Sequence, residues 1–367
     1  MPRTFMIDPD IRRAETPPGW LYSDPEVYER TREAVFAPSW QFALDAARLP
    51  HARSVAPCVF LEGLLPEPLV ITRDETGDFH ALSNVCTHRA NLIVESEGVV
   101  PGLRCRYHGR RFGHDGRFRS MPEFEQAEGF PRPADDLPRV QLGRWSRFLF
   151  TALAPALPFD TWIAPLKSRV GGHTIDAATF EPARSRDYEL AANWALYVDN
   201  YLEGFHIPYV HASLNDVIEY GSYSTEPLPH GVLQVGHAKG DESAFEGTPG
   251  EPRIAAYYLW MWPNTMFNVY PWGFSLNVVK PLAVDRTRVS FLAWVTEPAR
   301  LDRGAGSGLD RVELEDEAVV ESVMRGTRAR LYGRGRYSPA REAGVHRFHQ
   351  LLAGALAESH PDLGGSS

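Results

Sequence analysis

Apolar residues in this chain change their spacing along its length. Between Ser39 and about Leu153 they fall in short runs such as CVFLEG, PLVITRD, DFHALSN and RFLFTAL, cut by Gly, Pro and Asp. Runs of that length and spacing predict strands, and together a small all-β domain over residues 39–153. Ahead of it, DPEVYERTREAVF at 24–36 predicts a short helix opened by Pro25 and carrying Val27, Tyr28, Ala34, Val35 and Phe36. The Pro- and Ala-rich stretch Ala154 to Pro165 marks a boundary.

Beyond it come further strand-like runs, a helix near Asn193, a polar loop at 238–252 and a set of aromatic strands. PLAVDRTRVSFLAWV then predicts a hairpin turning at Asp285 and Arg286. From about Leu309 the pattern is helical, with a break near Gly333 to Pro339, as far as the GGSS tail. The expected division is an N-terminal helical segment at 1–38, an all-β domain at 39–153 and a mixed domain at 154–367. The fold class is α+β.

Composition narrows the function. The chain of 367 residues is 43% hydrophobic and 23% charged, as in a globular protein, and long enough for two cores. A net charge of -9 argues against nucleic acid as the main partner, since no excess of Lys and Arg exists to neutralise phosphates. Arg3, Asp8 and Asp10 interrupt the first residues, so no secretory signal is expected. The uncharged run Ile254 to Val279 is broken by Pro263, Asn264, Asn268, Pro271, Gly273 and Asn277; two strands joined by turns fit it better than a membrane span. Cys58, Cys86 and Cys105 are too few for a disulfide framework and suit a reducing cytoplasm.

The stretch NWALYVDNYLEGFHIPYVH, Asn193 to His211, places Glu203, His206 and His211 among aromatic residues. On a helix, Glu203 and His206 share a face. A five-residue step turns a helix by about 500°, leaving His211 some 140° from His206. Pro208 between them breaks the helix and lets the second imidazole swing back. Two neutral imidazoles with one carboxylate form the facial triad of non-haem Fe(II) sites. The plainer alternative is an amphipathic helix with ordinary, partly buried histidines.

A second constellation lies upstream. NVCTHRA and RCRYHGR give Cys86-x-His88, sixteen intervening residues, then Cys105-x-x-His108. Two thiolates on one iron and two imidazoles on the other are the ligand set of a Rieske [2Fe-2S] cluster. A structural zinc site also uses Cys2His2, although zinc fingers group the cysteines and the histidines, whereas here the types alternate.

With these motifs the chain resembles the catalytic α subunit of the Rieske non-haem iron oxygenases over nearly its whole length. Asn84, His88-Arg89, His108-Gly109, the NY-x-E-x-x-H-x4-H element from Asn200 to His211 and EDEAVVESVMRG carry the resemblance. Ala90 stands where the family usually has Gly, and Arg110 where it often has Trp. The resemblance implies a catalytic domain of helix-grip type and a mononuclear Fe(II) ligated by His206, His211 and a carboxylate, usually Asp, from the C-terminal half. It also implies that a separate reductase or ferredoxin, fed by NAD(P)H, passes electrons through the cluster to the iron for use with O2, across subunits of a homotrimer.

Among Asp310, Glu313, Glu315, Asp316, Glu317 and Glu321, helical periodicity selects Asp316. It falls within about 60° of Val312, Val319, Val320 and Val323, with Glu315 and Glu317 about 100° to either side. A carboxylate on a buried face needs a cation, which is either the metal or an arginine such as Arg325 or Arg328. By resemblance Glu203 bridges His206 to a cluster histidine of the neighbouring subunit, with Asp199 as the backup candidate. Glu rather than Asp at this position is similar to the subgroup that acts on quaternary ammonium compounds. Cys58 reads as a buried structural thiol, and His346 and His349 as a helix surface pair.

YYLWMWPNTMFNVYPW places Tyr257, Tyr258, Trp260, Trp262, Phe267, Tyr270 and Trp272 in strands, where alternation lets only some line a pocket. Two or three of them facing the iron would enclose a trimethylammonium group by cation–π attraction. The expected function is hydroxylation or oxidative N-demethylation of a small quaternary amine. The alternatives are aromatic ring hydroxylation or O-demethylation, and a non-catalytic electron-transfer or metal-binding protein.

Overall fold

A computed structural model describes residues 3–170, 175–247 and 251–358; the GGSS tail and part of the polar loop at 238–252 lie outside them. The chain divides into two compact units, Ala37–Asp160 and a discontinuous unit of Met1–Phe36 with Thr161–Ser367. The N-terminal segment, set apart in the sequence, thus packs with the C-terminal residues. The helices are α1 (Pro25–Thr31), α2 (Phe159–Val170), α3 (Trp194–Tyr201), α4 (Ile207–Val210), α5 (Ala212–Val217), α6 (Leu309–Thr327) and α7 (Ala343–Glu358). Asp24 caps α1 by accepting from Glu26 N, and a short π-helical stretch, Arg32–Phe36, follows it.

The smaller unit is all β. Its seven-stranded antiparallel sheet runs in spatial order Gln41–Asp45, Phe148–Ala152, Arg139–Trp145, Phe79–Ser83, Leu65–Arg73, Ser54–Leu61 and Gly98–Val99. Leu103–Arg104, Arg111–Phe112 and Phe118–Ser120 form a separate three-stranded sheet. Val55, Val70 and Leu82 from the first sheet share a core with Leu103 and Phe112 from the second, and Cys86 and Cys105 are buried in that core.

The larger unit is built on an eight-stranded antiparallel sheet. Its main path is Thr179–Phe180, Arg286–Val295, Gly273–Ala283, Thr265–Tyr270, Ile254–Met261, Gly231–His237 and Ser224–Leu228; Arg186–Leu190 also pairs with Arg286–Val295. Ile254 to Val279 is therefore part of three strands rather than two, because Pro263-Asn264 and Pro271 each end a strand. The hairpin turn falls at Val284 and Asp285, since Ala283 already pairs with Arg286. α3 and α7 meet each other and the sheet through Phe348, whose ring lies 5.8 Å from that of Trp194 and 5.4 Å from that of Trp260.

His346 and His349 are not a surface pair. The N-terminal segment lies against α7, so His346 Nε2 is 2.8 Å from Asp8 O, and His349 sits among Tyr337 Oη (2.7 Å), Tyr22 Oη (3.1 Å) and Asp199 Oδ1 (2.8 Å). Arg334 and Arg336 fasten the same segment by donating to the carbonyls of Thr16 and Ala14. Among the described residues no helix is long and apolar enough to cross a membrane.

Candidate metal centres

The first centre occupies two loops of the smaller unit, one following Phe79–Ser83 and one joining Leu103–Arg104 to Arg111–Phe112. The loops repeat one design. Cys86 N donates to Asn91 O and Ala90 N to Cys86 O; Cys105 N donates to Arg110 O and Gly109 N to Cys105 O. In each loop the fourth residue after the cysteine adopts positive φ, 55° at Ala90 and 76° at Gly109. That conformation is open to glycine and strained for alanine, which explains in backbone terms why Ala90 is a departure.

The loops bring four ligand-type side chains together. The two thiols are within hydrogen-bond reach of each other, and the His88 and His108 rings lie 4.8 Å apart. Burial, then His108, Arg89 and Arg110, lowers the His88 pKa and favours the neutral imidazole that a metal needs. His108 Nδ1 is buried without a hydrogen-bond partner among the described residues. Two buried thiols, a neutral imidazole and a second ring with an orphaned nitrogen fit a cluster held by Cys86, His88, Cys105 and His108.

The second centre lies in the larger unit. Asn193 caps α3 by accepting from Ala195 N, and the helix ends at Tyr201. Glu203 and His206 are consequently not on one helix. They meet in the turn that follows, where Glu203 Oε2 accepts from the backbone N–H groups of Phe205 and His206, and Oε1 accepts from His206 Nδ1 at 2.7 Å. α4 then runs for a single turn with Pro208 near its start, and His211 sits between α4 and α5. Pro208 does not break the helix as expected: it stands in the first turn of α4, where proline is tolerated, and the two imidazoles flank that single turn with ring centroids 5.0 Å apart.

Asp316 on α6 faces both rings. Its Oδ1 is 3.0 Å from His211 Nε2 and 3.5 Å from His206 Nε2, and one ligand atom from each of the three residues lies within 4.8 Å of the others. The remaining nitrogens are occupied: His206 Nδ1 by Glu203, and His211 Nδ1 by Glu315 Oε2 at 2.8 Å. Asn200 Nδ2 donates to Asp316 Oδ1 at 2.6 Å. Burial alone would lower the His211 pKa, but Asp316 and Glu315 outweigh it and raise it. With both Nδ1 atoms held by carboxylates, the two Nε2 atoms and a carboxylate oxygen converge where a cation is needed, which fits a metal with oriented histidines.

Asp316 does not stand in the middle of a valine stripe. The buried positions of α6 are Glu313, Val320 and Met324, and Val323 is exposed. Glu313 is the acid at the heart of that face. Tyr197 Oη donates to its Oε2 at 2.8 Å, Oε1 has no partner among the described residues, and burial, then Asp316, raises its carboxyl pKa well above the usual range. Glu313 and Asp316 line a cavity of about 100 Å3 with Tyr197, Tyr201, Tyr223, Tyr258, Tyr270 and Phe291. Of the seven aromatic residues singled out in the sequence, only Tyr258 and Tyr270 reach it; Trp260, Phe267 and Trp272 are core. Glu313, Glu315, Asn200 and the cavity tyrosines Tyr197, Tyr201 and Tyr223 are thus site residues to which sequence reasoning gave no role. Asp199 lies apart, accepting from Tyr22 Oη at 2.8 Å.

Fold and sites together define a two-centre iron protein with an all-β cluster unit and a sheet-and-helix unit for a mononuclear metal. Residues 40–131 match the Rieske [2Fe-2S] domain, and residues 177–358 the catalytic domain of the ring hydroxylating alpha subunit. The chloroplastic choline monooxygenase of Arabidopsis thaliana is 30% identical, covering 94% of this chain and 84% of its own length. The carnitine monooxygenase oxygenase subunit of Escherichia coli K12 is 28% identical over 96% of both chains. A solved quaternary ammonium Rieske monooxygenase superposes with a TM-score of 0.78 at 25% identity, covering 95% of this chain and 96% of its own. Naphthalene 1,2-dioxygenase from Rhodococcus sp., at 0.75 and 18%, shares the fold.

The chain belongs to the Rieske non-haem iron oxygenases, in the branch that includes choline and carnitine monooxygenases. It is an oxidoreductase whose cofactors are a Rieske [2Fe-2S] cluster and a mononuclear iron.

Proposed function

We propose that the protein is the cytoplasmic oxygenase subunit of a system that hydroxylates or oxidatively N-demethylates a small quaternary ammonium compound. Cys86, His88, Cys105 and His108 hold the cluster; His206, His211 and Asp316 hold the iron. When bound, the cluster supplies electrons one at a time and the iron the capacity to activate O2. Glu203 and Glu315 hold the Nδ1 protons of the two histidines and so aim both Nε2 atoms at the metal. Glu203 Oε1 keeps a second acceptor site, through which it bridges to a cluster histidine of a neighbouring subunit in a homotrimer. The electron donor is a separate NAD(P)H-dependent reductase or its ferredoxin.

One observation carries the substrate class. The cavity beside Asp316 is walled by tyrosine rings and holds Glu313, a buried carboxyl with an unpartnered oxygen. Tyrosine faces attract a cation that cannot donate hydrogen bonds, and burial strengthens the attraction. Burial holds Glu313 in its neutral form, and a cation placed within the same walls favours its ionisation, so that the carboxylate formed compensates the bound charge. Neutral aromatic substrates gain nothing from Glu313, which leaves ring hydroxylation the poorer fit.

Calorimetric titration of iron-loaded protein with choline or carnitine, their neutral tert-butyl analogue and a benzoate tests the reading. The expected result is that a trimethylammonium compound binds at least about tenfold more tightly than the other two, a difference of about 1.4 kcal/mol. Equal or tighter binding of the benzoate overturns it.

A further inference from the structure

The cluster loops contain a charge that the Rieske ligand set does not require. Arg110 lies two residues beyond His108, where this family often has Trp, and its side chain is only 2% exposed. One guanidinium nitrogen donates to Asp135 Oδ1 at 2.6 Å and to Asp135 O at 3.1 Å. Three phenylalanines box the group, with its central carbon 5.1 Å from the Phe118 ring, 5.5 Å from Phe130 and 5.7 Å from Phe112. A buried arginine at this density of contact is costly to place unless the surrounding structure is built for it.

The surroundings join both ligand loops. Thr87, between Cys86 and His88, donates its hydroxyl to the same Asp135 carbonyl at 2.9 Å. The Asp135 carbonyl therefore receives one bond from each loop. Its own position is fixed by Arg132 N, which donates to Oδ2 at 2.9 Å, and by the next residue, Asp136, which accepts from Phe118 N at 2.7 Å. The segment ahead of it folds back over the cluster site: Phe130 packs on Phe124 at 4.8 Å, and Phe124 stands edge-on to His88 at 5.5 Å.

We propose that Arg110, clasped by Asp135 and boxed by Phe112, Phe118 and Phe130, fixes a permanent positive charge beside the histidine-held side of the cluster and thereby raises its reduction potential. A cluster gains negative charge on reduction, so a nearby fixed cation favours the reduced form. Low local polarity strengthens the effect. Asp135 opposes the effect in part, since its carboxylate stays ionised beside the guanidinium. The two residues therefore act on the potential with opposite signs, which packing alone would not produce.

The test is a charge-neutralisation cycle on the assembled holoprotein. R110M, D135N and the double variant are compared with the unaltered protein by EPR-monitored redox titration, with iron and sulfide content and the reduced-cluster g values as checks that the cluster is intact. The expected midpoint shifts are downward for R110M and upward for D135N, with the double variant between the two. Unmoved potentials in both single variants, or shifts of the same sign, overturn the proposal. If R110M assembles no cluster, D135N decides alone: an upward shift supports the proposal, and an unchanged or lower potential overturns it.

Discussion

Glu315 and Asp316, neighbours in sequence, hold opposite edges of the His211 ring. Glu315 Oε2 lies 2.8 Å from Nδ1, and Asp316 Oδ1 lies 3.0 Å from Nε2. Successive helical residues diverge by about 100°, so two carboxylates can take both nitrogens only if the ring enters between them. His211 does so from the C-cap of α4, directly after its last residue, Val210.

This grip separates two kinds of loss at the metal. Asp316→Asn removes the carboxylate proposed as an iron ligand, and turnover is expected to fall at least about a hundredfold while the cluster keeps its EPR signal. Glu315→Gln keeps every ligand but weakens the orientation of His211, so Fe(II) affinity is expected to fall about 10- to 100-fold. Excess Fe(II) restores the second variant and not the first. Metal analysis before and after dialysis distinguishes them; equal iron retention in both variants and the unaltered protein would remove Asp316 from the ligand set.

The Rieske unit carries a correctable strain. Ala90 holds φ at 55°, a region that costs an alanine about 1–2 kcal/mol relative to the right-handed helix. Glycine at the equivalent place in the other loop, Gly109, has no such cost. Ala90→Gly is expected to stabilise the unit by about 0.5–1 kcal/mol, after the greater flexibility of the unfolded glycine chain is allowed for. Thermal unfolding followed at the cluster absorbance checks this, and the potential should not move.

Much of this arrangement was legible in the sequence where the determinants are local. The alternating Cys and His pairs and the short apolar runs each signal through residues a few positions apart. The hidden features depend on distant partners. Periodicity centred the buried face of α6 on valines because it treats every acid but one as exposed, yet Glu313 is buried through a bond from Tyr197, 116 residues away. His346 and His349 look like a surface pair until the N-terminal segment, more than 300 residues earlier, lies over them. Tyr201 and Tyr223 join the cavity from outside the aromatic strands, so the strand pattern gave no sign of them.

Cys58 lies in the strand Ser54–Leu61, paired opposite Leu69, and burial pushes its thiol up to about 12 from an ordinary 9.0. In the folded chain the thiol stays protonated at pH 9, where an unfolded cysteine is about half thiolate. Alkylation of the native protein by iodoacetamide at pH 9 is therefore expected to run on the order of a hundredfold slower at Cys58 than in the denatured chain. The same shift sets a direction for stability. A raised folded pKa contributes stability that is complete below about pH 9 and is lost as pH rises toward 12. The structure leaves Cys58 half-buried rather than fully buried; peptide mapping after timed labelling reads the rate, and fast native labelling would contradict the raised thiol pKa.

Gly204 sets the distance between the Glu203 turn and the cavity wall. A Cβ at this position would stand 2.7 Å from Tyr223 Cε1 and 2.9 Å from Cδ1, closer than carbon atoms pack. Tyr223 is one of the rings lining the cavity, and Glu203 holds His206 from the other side of Gly204. Gly204→Ala must displace either the ring or the turn, and the two responses read differently. Displacement of the ring raises KM for the substrate and leaves iron content unchanged. Displacement of the turn loosens His206 and lowers iron occupancy, with KM little altered in the fraction that keeps metal. The ring is the freer of the two, since three backbone and side-chain bonds anchor Glu203 to its own turn. The expected outcome is therefore a KM increase of about tenfold, roughly 1.4 kcal/mol of lost binding, at near-normal iron content and unchanged cluster potential. Unaltered KM together with full iron content would show that the turn and Tyr223 are not in the close contact that the structure gives them.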